Sequence, residues 1–167
     1  MPTRTNWRLG VLVKAAHHLP KMDIMGKCDP YAELHLGGQG LKHKTKTVSN
    51  SYDAEWNEEF VFTVCGDTKA DETNNEAHAL HVHIMDHDRY TEDDYIGSVI
   101  VNLRDLWDPA LPGDQREPLT KSYPVHNSKL ADEPAVSGDD MQPTTITLVF
   151  SYQGHGTSPL STNRLIL

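Results

Sequence analysis

No stretch of this chain approaches the run of roughly 20 apolar residues that crosses a bilayer. Met1-Pro2-Thr3-Arg4-Thr5 lacks the apolar stretch of a signal peptide, and Pro2 stands where myristoylation requires glycine. No Asn-x-Ser/Thr sequon occurs. Two cysteines, Cys28 and Cys65, are too few for a disulfide framework. Positive charge is scarce: 15 Lys and Arg stand against 24 Asp and Glu, a formal net charge of −9. That balance argues against a nucleic-acid partner, which needs a basic footprint. Catalytic signatures are missing too. There is no Gly-x-Ser-x-Gly and no His-Glu-x-x-His. Gly37-Gly38-Gln39-Gly40 has neither the Gly-Lys-Ser/Thr adjacency nor the following helix of a phosphate loop. These absences lead to the expectation of a non-catalytic cytoplasmic domain over residues 1–155, any membrane contact being peripheral and reversible. Residues 156–167 are expected to be a mobile tail.

What the chain does contain is β pattern. Leu9-Gly10-Val11-Leu12-Val13 is an apolar run of buried-strand length. Leu80-His81-Val82-His83-Ile84 alternates apolar with polar, as a strand with one wet face does. Further strands are predicted at 30–36, 42–48, 60–64, 96–101, 122–126 and 146–152. Pro124 places the seventh at a sheet edge. One helical turn is predicted at 103–107. Eight strands separated by turns, without a long amphipathic helix, predict an all-β, eight-stranded antiparallel sandwich. Residues 67–79 and 127–143 read as exposed loops.

The acidic residues are placed unevenly. Asp23 and Asp29 lie between strands one and two; Asp86, Asp88 and Asp94 lie between strands five and six. In an antiparallel sandwich the odd-to-even connections emerge at one end, so both groups should meet there. The acid-rich connection 127–143 should emerge there as well. Two unit charges about 4 Å apart at an effective dielectric near 20 repel by about 4 kcal/mol. A cation relieves that repulsion, and calcium fits best: it is a hard ion that takes oxygen ligands in irregular loops, whereas magnesium demands strict octahedral geometry. Any one loop aspartate is ordinarily a solvated turn former; it is the set of five that points to metal. The spacing is not that of an EF-hand. A loop starting at Asp86 puts Thr91 where glycine is needed and Gly97 where a bidentate glutamate is needed. The ten histidines do not read as a zinc motif. His81 and His83 share a strand face without a third ligand at metal spacing, and are expected to face solvent.

Three segments carry a family resemblance. Leu19-Pro20-Lys21-Met22-Asp23-Ile24-Met25-Gly26-Lys27-Cys28-Asp29-Pro30-Tyr31 resembles the first calcium loop of C2 domains. Lys46-Thr47 with Glu55-Trp56-Asn57-Glu58-Glu59-Phe60 resembles the middle signature of that family. The run from Asp86-His87-Asp88 through Asp94-Tyr95-Ile96-Gly97 resembles its third loop. The likeness extends from about residue 9 to residue 152. It implies that Asp23, Asp29, Asp86, Asp88 and Asp94 bind about two or three calcium ions, with Met22, Lys21 and Arg89 where backbone carbonyls or phosphate contacts arise. One departure is Ser49-Asn50-Ser51-Tyr52-Asp53-Ala54, which lacks the family's Asn-Pro. The chain opens on the first-loop strand and closes on an extra one, which resembles the phospholipase C permutation (type II topology).

The resemblance also implies anionic phospholipid, including phosphoinositide, as partner. Lys42, Lys44 and Lys46 alternate along strand three and should share one face; lysine on an edge strand also guards against edge pairing. Ile24 and Met25 at the tip of loop one, with Arg89 and Tyr90 at the tip of loop three, are the candidate lipid contacts. Two functions stay open: a calcium-triggered membrane-docking module, or an adaptor for a protein partner in which calcium is structural or absent.

Overall fold

The computed structural model describes residues 6–22, 26–65, 76–107, 111–127 and 134–155. Eight strands form two antiparallel four-stranded sheets: β1 (Trp7–His17), β2 (Pro30–Leu36), β3 (Lys42–Lys44), β4 (Ala54–Val64), β5 (Ala79–Asp86), β6 (Asp94–Asn102), β7 (Leu119–Pro124) and β8 (Thr145–His155). One sheet has the order β4-β1-β8-β7 and the other β3-β2-β5-β6. The last strand thus pairs with the first, with Val11 opposite Phe150. β7, the strand carrying Pro124, is an edge strand, where its missing N–H costs no ladder bond.

Period-two patterning decides which face each strand buries. Leu9, Val11 and Val13 on β1 and Ile146, Leu148 and Phe150 on β8 are all 0% exposed, and pack against Leu34, Leu80, Val82 and Ile84 of the other sheet. Burying each such side chain contributes about 1.5–3 kcal/mol. Register slips between Val13 and Ala15, a bulge that leaves Lys14 outside while Ala15 and Ala16 are both buried. β4 begins six residues before the expected start at Phe60, because Ala54 and Trp56 continue the buried parity of Phe62 and Val64 across the polar residues between. The expected helical turn is a short 3-10 helix, Leu103–Asp105, with the Asn102 side chain accepting from the Arg104 N–H.

β3 corrects an expectation. The strand holds three residues and excludes Lys46. Beyond it the chain stays tied to β2 through Thr45 N to Ala32 O at 2.9 Å and Val48 N to Pro30 O at 3.0 Å, so Lys42, Lys44 and Lys46 remain exposed on alternate positions. At the other margin of this sheet, Ser98 bridges His126. A Cβ on Gly97 would come within 2.6 Å of Val125 Cγ1, so glycine permits the 125–127 segment to close over β6.

Candidate metal centre

The odd-to-even connections do meet at one end. Leu19 N donates to Tyr52 O at 2.9 Å, Ser51 N to Cys28 O at 2.8 Å, and His87 N to Asp29 O at 3.0 Å. These bonds tie the first, second and third such connections into one surface. β2 and β6 flank β5, so that Asp86 faces Pro30 on one side and Asp94 on the other. Asp29 precedes Pro30 directly. Four of the five expected aspartates, Asp29, Asp86, Asp88 and Asp94, therefore gather at the ends of three adjacent strands. Asp23 lies outside the described residues, as do Ile24 and Met25.

Asp86 is 1% exposed. A carboxylate buried this far needs hydrogen bonds or a cation, and its Oδ1 accepts from the Asp29 N–H at 2.6 Å. Asp29 Oδ1 in turn accepts from Asn50 N at 2.5 Å. The carboxylates of Asp88 and Asp94 accept no hydrogen bond from the described residues, and Asp94 is exposed. The donor set is thus all oxygen, of one charge, with some carboxylates engaged by backbone and others available. That is the chemistry a hard divalent ion selects. Like charges opposite each other on paired strands, as Asp86 and Asp94 are, destabilise the empty site. The Met22 side chain packs against the core, so what it presents to the loop is its backbone.

Loop three is braced by a residue that spacing did not single out. Asp93 Oδ1 accepts from Asp88 N at 3.1 Å and lies 3.0 Å from His87 Nδ1, while Tyr31 Oη donates to Asp93 Oδ2 at 2.7 Å. The Tyr31 hydroxyl and then the Asp88 N–H hold the Asp93 carboxyl below its usual range. Burial, with Asp93 beside it, pushes the Tyr31 hydroxyl up. In sequence Asp93 and Asp94 are adjacent and identical in type; only the fold makes one a brace and leaves the other exposed.

The connection after β7 joins this end too. Asp140 Oδ2 lies 2.7 Å from His18 Nδ1, and Tyr52 Oη donates to Asp139 Oδ2 at 3.2 Å. Thr144 Oγ1 donates to His18 O at 2.5 Å. Asp132 and Glu133 lie outside the described residues. At the tip of loop three Arg89 is exposed and Tyr90 is 96% exposed. Met141, 86% exposed, stands on the 134–144 segment beside the same end and carried no signal in the sequence. The lysines of β3 are less free than their pattern implied: Lys42 Nζ lies 2.8 Å and Lys44 Nζ 3.2 Å from the Glu33 carboxylate. Burial pushes the Glu33 carboxyl up, but the two lysines outweigh it and its pKa is lowered.

The reading of the strand histidines needs correction. His81 and His83 do have a third partner. β2 brings His35 directly opposite His81, and the three rings offer ligand nitrogens all within 4.8 Å of one another. Sequence spacing could not reveal it, because the third ligand arrives across a strand pair.

A sequence model of the C2 domain family matches residues 7–125. A C2 and GRAM domain-containing protein of Arabidopsis thaliana is 38% identical over 122 residues, which cover 73% of this chain and 10% of that protein. Human cytosolic phospholipase A2 delta is 34% identical over 110 residues, 65% of this chain and 12% of that protein. The chain thus spans only a small part of these relatives. Among solved structures, human GIVD cytosolic phospholipase A2 superposes with a TM-score of 0.65 at 27% identity, covering 89% of this chain and 16% of that one. A C2 domain of plant extended synaptotagmin 1 gives 0.66 at 19% identity, covering 90% and 97%, a likeness of fold.

Proposed function

We propose, from the premise that this chain belongs to the C2 domain family, that it is a non-catalytic calcium-binding module that docks reversibly onto anionic phospholipid membranes. The carrying observation is the convergence of Asp29, Asp86, Asp88 and Asp94 from two connections onto the ends of β2, β5 and β6. Asp23 completes the ligand set, and the Met22 carbonyl adds a neutral oxygen. Empty, this end repels acidic lipid. With calcium bound, the sign of the local potential reverses, and lipid phosphate fills coordination positions the protein leaves open.

The apolar and basic tips give the docked state its grip. Tyr90, with Ile24 and Met25, enters the headgroup layer while Arg89 reaches phosphate. Lys42, Lys44 and Lys46 add attraction of about 1 kcal/mol each near an anionic surface, less whatever Glu33 neutralises. The protein would reside in the cytoplasm and reach the membrane when calcium rises.

Co-sedimentation with phosphatidylserine vesicles tests the reading. Binding should appear with calcium and vanish with chelator. Melting temperature should rise with calcium by linkage, because the ion binds only the folded chain. Vesicle binding indifferent to calcium, with an unmoved melting curve, would leave the protein-adaptor reading in its place.

A further inference from the structure

We propose that His35, His81 and His83 form a zinc site on the outer face of the β3-β2-β5-β6 sheet, separate from the acidic end and not required for calcium binding. The three side chains are placed by strand parity and register. On β5, residues 80, 82, 84 and 86 are buried while His81, His83 and Met85 point outward. On β2, Leu34 and Leu36 are buried and His35 lies between them on the outer face. Antiparallel pairing sets His35 opposite His81 and Glu33 opposite His83. The His35 and His81 rings stack with centroids 4.7 Å apart, and His83 tilts against His35 at 5.5 Å.

The ligand nitrogens already lie within 4.8 Å of one another. Zinc bound at about 2.0–2.1 Å in tetrahedral geometry holds its ligand nitrogens about 3.4 Å apart. The proposed site requires the rings, His35 and His81 now being stacked, to turn about their side-chain torsions to close that gap. Three imidazoles and one open position, filled by water, form an established zinc coordination pattern, and imidazole favours zinc over calcium or magnesium.

Two further observations point to a ligand. His35 Nδ1 is buried and has no hydrogen-bond partner among the described residues, whereas buried polar nitrogens ordinarily find one. His81 Nε2 lies 2.8 Å from Glu76 Oε1, the kind of carboxylate support that fixes the tautomer and orientation of a ligating histidine. Protonation does not compete strongly. Burial, then the neighbouring His81 and Lys42, pushes the His35 imidazole down, against the pull of Glu33 and Glu76. Burial, then His35, does the same for His83, opposed by Glu33. Both rings are therefore held toward the neutral form that binds metal. The neighbouring cations, Lys42 and Lys44, are tied to Glu33.

The test is zinc binding measured by competition with a chromophoric chelator on the full chain, with cobalt(II) absorption as a geometric readout. The protein carrying Asp86→Asn and Asp88→Asn should still take up one zinc ion, with affinity near that of the parent. His35→Gln and His83→Gln should each weaken zinc about tenfold or more, abolish the visible cobalt bands of a tetrahedral site, and leave calcium-dependent vesicle binding unchanged. Glu76→Gln should weaken zinc by about tenfold through His81. Circular dichroism establishes that each variant is folded. Zinc uptake lost with the two aspartates and untouched by the histidine substitutions would overturn the proposal, as would zinc affinity no tighter than millimolar in the parent.

Discussion

The acidic end and the histidine face of this domain stand on the same two strands, β2 and β5, yet they are built in opposite ways. At the acidic end the carboxylates sit at strand ends and in the adjoining loops, in two groups far apart in sequence, and converge because odd-to-even connections share one end of an antiparallel sandwich. On the outer face the imidazoles sit within strands and converge through register: His35 meets His81 because Leu34 meets Val82 and Leu36 meets Leu80. The first arrangement offers hard oxygen donors on segments able to adjust to an irregular ion. The second offers borderline nitrogen donors on a rigid ladder. On the two sites proposed, one sheet would sort two classes of metal by where each ligand set is mounted.

The comparison can be broken most directly at the acidic end. Asp86→Asn combined with Asp88→Asn should abolish calcium heats in calorimetry and calcium-dependent vesicle binding, while the apo fold stays intact, since two mutually repelling charges are removed. Wild-type heats in this variant would sever the acidic end from calcium. Saturating calcium should leave zinc affinity within about twofold; a larger coupling would show that the two regions act as one site.

The brace of loop three should matter next. Asp93→Asn removes the charge from the acceptor that Asp88 N–H and Tyr31 Oη share, at a cost of about 1–3 kcal/mol in hydrogen bonding to a charged group. Calcium affinity should fall by about threefold to tenfold, and Tyr31→Phe should have a smaller effect in the same direction. Calorimetry on both variants would show whether loop three is held ready or assembled by the ion.

A moderate effect is expected from Glu33→Gln. It releases Lys42 and Lys44, so binding to phosphoinositide-rich vesicles should strengthen by about twofold to fivefold. The same substitution should cost stability at neutral pH. Because the folded carboxyl has a lowered pKa, its stabilisation is present above the ordinary glutamate value near 4.3 and disappears as pH falls through the folded value. Wild type and variant should thus converge in melting temperature in acid; a difference that persisted there would mean a packing role for Glu33.

The smallest effect concerns Asp139 and Asp140, which His18 and Tyr52 hold beside the acidic end. Replacing both by Asn should shift half-maximal vesicle binding to slightly lower calcium, since charges within about 8 Å of the surface are only partly screened. An unmoved midpoint would make this segment a tether without electrostatic influence.

Much of the acidic end was legible because its signals are local. Asp86-His87-Asp88, the run into Pro30-Tyr31, and strand parity each require only neighbours in sequence. The role of Asp93 was not legible, since its distinction from Asp94 depends on a hydroxyl delivered by β2. Lys46 was misplaced for a related reason: alternation survives in extended chain whether or not a ladder continues, so the pattern could not say where β3 stops.

Composition and period-two patterning by themselves determined that this chain folds as a β-sandwich with aspartates collected at one end, because burial parity and the direction of successive strands follow from the order of residues alone. Only the tertiary structure decided which carboxylates brace and which stay open, that two of the three lysines share the Glu33 carboxylate, and that His35 stands beside His81 and His83. Each of those depends on register between strands far apart in sequence, and register is set by how the buried faces of two strands fit together, which no local spacing records.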